Sequence, residues 1–186
     1  MGSLTYELHW QRLVCPSVHQ FLESEDLLQI SEVSGDADFV RHTGYETLRL
    51  GMVSAIFLYH FSEVVLERNA LAGRTPPITN KTGVRKLISK ATHAADGDPR
   101  PDDYKIIGEV ADAVKHAELT SEAIVHVPKK GRVIEISQQQ PTLFPEGQPA
   151  GTPQVLIVTK AGSRSLRALV ENVARGWVVT LGVAAL

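Results

Sequence analysis

The chain of 186 residues contains one cysteine, Cys15, so it can form no internal disulfide and no thiolate metal cluster. It has no glycine-lysine phosphate loop and no G-x-G-x-x-G, which argues against nucleotide sites of those kinds. Long apolar runs are also missing. Leu50 to Phe61, which fills all but one residue of the longest uncharged stretch of the first half, is 12 residues, short of the ~20 that a bilayer span needs. Met1 to Trp10 lacks a basic segment followed by an apolar one, so no secretory leader is expected, and a reducing cytoplasm fits the lone thiol. Aromatic residues make up only 6%, and none is interleaved with the late basic residues as in single-strand binders. Nucleic acid is thus a weakly supported partner, and a membrane is not expected.

Hydrophobic residues at 43% and charged residues at 22% describe a globular chain, and its length suits one domain over residues 1–186. The net charge of −2 hides an asymmetry, with −6 over residues 1–122 and +4 over the rest. Two halves that dock on each other explain this as well as an anionic partner does.

Tyr6, Trp10 and Val14 recur every four residues, predicting a helix that Pro16 interrupts before a second one carries Val18, Phe21 and Leu22 toward Ile30. Ser31 to Asp38 reads as a loop. From Phe39 to Ala72 the pattern is continuous and free of proline, as a buried central helix requires, and Gly73, Pro76 and Pro77 end it. Thr79 or Asn80 can cap a helix bearing Lys81, Arg85, Lys86 and Lys90, a solvated basic face. Asp102 or Asp103 can cap the next, which runs to about Leu119.

After residue 120 the period changes to two. AIVHV and RVIEIS read as a hairpin, Gln138 to Pro153 as an irregular turn-rich segment and QVLIVTK as a third strand. Ser163 to about Trp177 reads as an amphipathic helix. The expected fold class is α+β: a helical bundle of about four helices (1–120), then a small three-stranded antiparallel sheet and a C-terminal helix (121–186).

Ionisable residues gather on two helical stripes. His42, Glu46, Arg49, His60, Glu63 and Glu67 fall within about 100° of one face of the central helix. Lys105, Glu109, Asp112 and His116 share a face of the helix before the sheet. Burying unpaired charge is costly, so such stripes face water or each other. If they meet, His116 is a candidate acid-base catalyst oriented by Asp112, with Glu46 and Arg49 opposite. His60 reads as a satisfied core histidine. Di-metal bundles use Glu-x-x-His twice, whereas His60 and Glu63 stand in the reverse order with no second copy, so no metal and no other cofactor is expected.

The helix GEVADAVKHAEL carries two resemblances. With Asp112, Lys115, His116, Gly162 and Trp177, the second half of the chain resembles a group of uncharacterised bacterial and phage proteins, a likeness that implies no established activity. Asp112 and His116 also resemble the polar and histidine positions of HEPN-type helical bundles, often ribonucleases. Ala111 stands where that motif has arginine, the group that would stabilise phosphate in the transition state. The expectation is a binding or assembly protein, its partner another protein or a second copy. The alternative is a metal-independent ribonuclease centred on His116.

Overall fold

Pro16 has no N–H to donate, and its ring crowds the carbonyl four residues back, so a helix running through it must adjust. The computed structural model describes residues 4–116, 119–137 and 153–185, and shows the adjustment one turn early. After α1 (Tyr6–His9), Trp10–Val14 form a π-helical turn in which the Cys15 N–H reaches back five residues to Trp10 O, and α2 (Cys15–Ser34) continues with Pro16 in its first turn. The interruption expected at Pro16 is a change of register within one rod. The expected loop also shrinks: Gly35 turns the chain at φ 71°, and the Asp36 carboxylate accepts from the N–H groups of Asp38 and Phe39 to cap α3 (Ala37–Glu67).

The two long helices pack through small polar residues. Ser17, Ser24 and Ser31 recur every seven residues, each buried and donating to the carbonyl three residues back. Across the seam the Ser54 hydroxyl donates to Ser17 O at 2.6 Å and the Thr47 hydroxyl to Ser24 O at 3.0 Å. A hydroxyl satisfied on its own helix lets two backbones approach without an orphaned polar group. Gly51 extends this close approach, because a Cβ there would lie 2.7 Å from the Leu166 side chain. By length and hydropathy alone α3 could cross a membrane; in this fold it is the central helix, with Ala55, Leu58, Phe61 and Val65 in the core.

Asn80 caps α4 (Lys81–Ala91), as its side chain accepts from the Gly83 N–H. The next cap differs from expectation. Arg100 holds the N-cap position of α5 (Pro101–Lys115) with no side-chain cap bond, while Asp103 turns inward to other partners. The helix ends at Lys115 because His116 takes an extended conformation, φ −128° and ψ 129°.

The fold is α+β as expected, with a three-stranded antiparallel sheet ordered β1 (Ile134–Ser137), β2 (Gln154–Thr159), β3 (Gly162–Ser165), then α6 (Leu166–Leu181). Its membership differs from the sequence reading. β1 pairs with β2, Ser137 opposite Gln154, and not with the AIVHV stretch. The third strand is instead Gly162–Ser165, expected as a turn and the start of a helix; the Ser165 hydroxyl caps α6 by accepting from the Ala168 N–H. The turn-rich segment expected between β1 and β2 lies, at 138–152, outside the described residues.

Trp177 is fully buried, its indole N–H donating to Leu58 O at 3.1 Å and its ring edge-on to Phe61. Along the polar side of α6 runs a chain of charges. Arg164 and Asn172 both donate to the buried Asp103, Arg175 bridges Asn172 to Glu171, and Arg167 joins Glu171 to Asp26. Glu25, with no exposed surface, accepts from the Val155 N–H at 2.8 Å, and Arg167 stands 3.8 Å from its other oxygen.

Burial dominates the ionisation of Glu25, which is pushed from 4.5 to about 7 despite the opposing pull of the Val155 N–H and of Arg167. A carboxyl raised on folding stabilises the folded state while protonated; that contribution is lost as pH climbs from 4.5 through about 7. The substitution Glu25→Gln should abolish this loss. Between pH 5 and pH 8 the variant should gain on the order of 3 kcal/mol relative to the parent in urea denaturation. Parallel stability profiles would show that Glu25 does not titrate in this window.

Candidate functional site

A mid-helix glycine is the first local sign of a site. Gly108 lies inside α5, where glycine costs about 1 kcal/mol against alanine, and a Cβ there would come within 2.4 Å of the Tyr59 ring. The tyrosine, on α3, therefore lies directly against the α5 backbone. The Arg85 guanidinium stands over the Tyr59 ring at 4.2 Å from its centroid, with Glu63 at 3.7 Å and the Ser62 hydroxyl at 3.5 Å. Lys81 also reaches Glu63, at 3.2 Å. The basic stripe of α4 is thus only partly solvated, because Lys81 and Arg85 pair with the polar stripe of α3.

The opposite wall is built by Glu109. It is 6% exposed, and its carboxylate accepts from three consecutive backbone N–H groups: Val125 at 2.9 Å on one oxygen, His126 and Val127 at 2.8 Å on the other. Donors captured by a carboxylate cannot serve a strand ladder, which is why AIVHV alternates like a strand and is not one. The captured segment stands away from α5 and leaves a cleft of about 510 Å³. Ser121, Ala123, Ile124 and Val125 line one side, Lys86, Ser89 and Lys90 of α4 the other, with Tyr59, Tyr104, Gly108 and Asp112 between them.

The charge of this cleft is mostly positive. Lys86 and Lys90 are exposed and have no ion-pair partner among the described residues. Lys105 holds Asp102 at 2.6 Å, and the Glu109 carboxylate is spent on backbone donors. Asp112, half-buried, has no hydrogen-bond partner for its carboxylate among the described residues. Tyr59 is pushed above its ordinary range chiefly by burial, with Arg85 opposing and Asp112, Glu63 and Glu109 adding to the rise.

The residues singled out from sequence divide between places. Glu46 and Arg49 pair with each other three residues apart on the surface of α3; the arginine holds the Glu46 carboxyl below its ordinary range, and neither bonds Asp112 or His116. Asp112 lines the cleft. His116, just past the end of α5, lines a separate cavity of about 210 Å³ with Met52, Val110, Lys129 and Ile134. Its backbone N–H bonds Asp112 O at 3.1 Å, but no side-chain hydrogen bond joins the pair.

The polar stripe of α3 meets α5 through a residue outside the expected stripe. Lys115 donates to His60 Nε2, and His60 Nδ1 lies 3.3 Å from Glu63, so the histidine read as a core residue is a half-exposed bridge. An ammonium only donates, so Nε2 accepts and Nδ1 carries the proton. Glu67 and His42 stay exposed. Among the described residues no three His, Cys, Asp or Glu side chains are grouped to hold a metal ion. Tyr59, Arg85, Lys86, Lys90 and Gly108 were not candidates; the signals that could have found them are the acid-free basic run of α4 and the glycine inside a helical pattern.

No family model matches the chain, and no curated protein or solved structure matches it either.

Since three donors depend on one carboxylate, Glu109→Ala should destabilise the protein by roughly 2–4 kcal/mol. It should also release the amides of Val125, His126 and Val127 to fast hydrogen exchange. Retained protection at those amides would show that the segment is held by something else.

Proposed function

We propose that the protein acts by binding, and that the cleft between α4 and α5 receives a negatively charged ligand. The observation that carries this reading is the pair Lys86 and Lys90, two unpaired cations on one rim of a concave, largely apolar cleft beside Arg85 and Lys105. A purely structural lysine face gains nothing from concavity. A ligand pocket needs it, to bury apolar surface while a few polar groups fix the charged end. Cys15, a free thiol, supports a reducing, cytoplasmic setting.

Assembly is the second reading. Ile30, Val33 and Tyr45 expose apolar surface where α2 meets α3, which supports contact with a protein partner or a second copy. Ribonuclease action at His116 has less support, as the ring is not oriented by Asp112 and Ala111 supplies no guanidinium.

Titration with inorganic pyrophosphate, followed by NMR, should shift the amides of Lys86, Lys90 and Lys105. Affinity should fall steeply with added salt and drop at least tenfold in a Lys86→Ala/Lys90→Ala variant. Absence of binding at low salt would refute the reading. In a separate assay, labelled RNA incubated with the parent and with His116→Ala, with and without EDTA, should stay intact. Cleavage lost only in the variant would restore the catalytic alternative.

A further inference from the structure

The cleft has a second charged feature that a simple anion site does not need, the unpartnered Asp112 carboxylate. Resting on the reading of the cleft as an anion site, we infer that its ligand is a nucleoside 5′-phosphate with an amino-bearing base, its phosphate near Lys90 and Lys105 and its base edge at Asp112.

The arrangement follows from the two helices. α4 and α5 are joined by residues 92–100, with the Ser89 hydroxyl donating to Pro101 O. Lys90, next to Ser89, and Lys105, in the second turn of α5, therefore stand near that junction, while Asp112 lies about two turns further along α5. Lys105 and Asp112 are seven residues apart on one helix, about 10 Å along its axis at the usual rise. An amino-acid zwitterion carries its opposite charges only a few bonds apart and cannot reach both ends. A nucleoside monophosphate separates phosphate from base by a sugar and a ring, and has the required length.

The middle of the cleft is apolar, with Tyr104 on its floor, the Tyr59 ring seated against Gly108, and Ala123 and Ile124 on the wall. The half-exposed Arg85 guanidinium, already stacked on Tyr59, offers a flat cation for a base to lie on. An ionised carboxylate only accepts, so Asp112 selects a base that presents N–H donors, as the exocyclic amino groups of adenine, cytosine and guanine do. At about 510 Å³ the cleft is within the roughly 300–1,000 Å³ usual for small-molecule sites.

Calorimetric titration with AMP, CMP, GMP, ribose 5-phosphate and pyrophosphate tests this, with the tetranucleotide pApApApA as a further arm. At least one of the three nucleotides should bind tenfold or more tightly than ribose 5-phosphate. Asp112→Ala should erase that margin without weakening pyrophosphate binding, while Lys90→Ala should weaken both. Lys90 is exposed and Asp112 half-buried, and a circular-dichroism melt confirms folding of each variant. If every nucleotide binds no better than ribose 5-phosphate while pyrophosphate still binds, the nucleotide inference is overturned and the anion reading stands. If pyrophosphate also fails, both fall. A tetranucleotide that binds as AMP does identifies the end of an RNA chain as a source of the same group, and one that binds far more weakly identifies the free nucleotide; either result supports the site.

Discussion

One carboxylate decides how the chain passes from helix to sheet. Glu109 on α5 takes three consecutive backbone donors, Val125 to Val127, which would otherwise need a strand partner or water. Successive N–H groups turned to one side form a concave nest for an anion, and here the anion is supplied by the protein itself. The Lys160 N–H then donates to His126 O, so the captured segment in turn positions the end of β2. The cleft wall, the route of the chain over α5 and the placement of the sheet all follow from that grip.

What could be read in the sequence was local. The long apolar span from Phe39 signalled α3, although its cap at Asp36 lay in a stretch read as loop, and Asn80 and the QVLIVT run signalled α4 and β2. Each of these depends on residues a few positions apart. What could not be read depends on distance. Val125 and Val127 alternate with polar neighbours as strand residues do, and nothing nearby shows that a glutamate 16 to 18 residues earlier captures their donors. Asp103 has the sequence position of a cap, yet its carboxylate meets Arg164 and Asn172, 61 and 69 residues later.

The candidate site shows the same division. The α3 stripe reaches α5 through His60 and Lys115, a residue outside the expected α5 stripe, and not through His116. The spacing of Asp112 and His116 promised a helical pair. The backbone leaves the helix between them, which is a matter of where α5 stops and not of which residues it holds. Exposed Lys86 and Lys90 look like ordinary solvated lysines until Glu109 raises a wall opposite them.

The charges along α6 bear on how the molecule folds. Asp26 and Glu25 from α2 and Asp103 from α5 all reach one helix near the end of the chain, and Arg164 of β3 joins them at Asp103. Until β3 and α6 dock, Glu25 and Asp103 have no counter-charge in the interior, and until the bundle exists, Arg167 and Asn172 have partners only on α6 itself. A bundle folding first and a sheet added later would pass through a state with buried, unpaired carboxylates, which is strongly disfavoured. The late segment is for this reason not an appendage on a finished bundle. The contacts that satisfy these carboxylates close more than a hundred residues of chain, so bundle and sheet depend on each other.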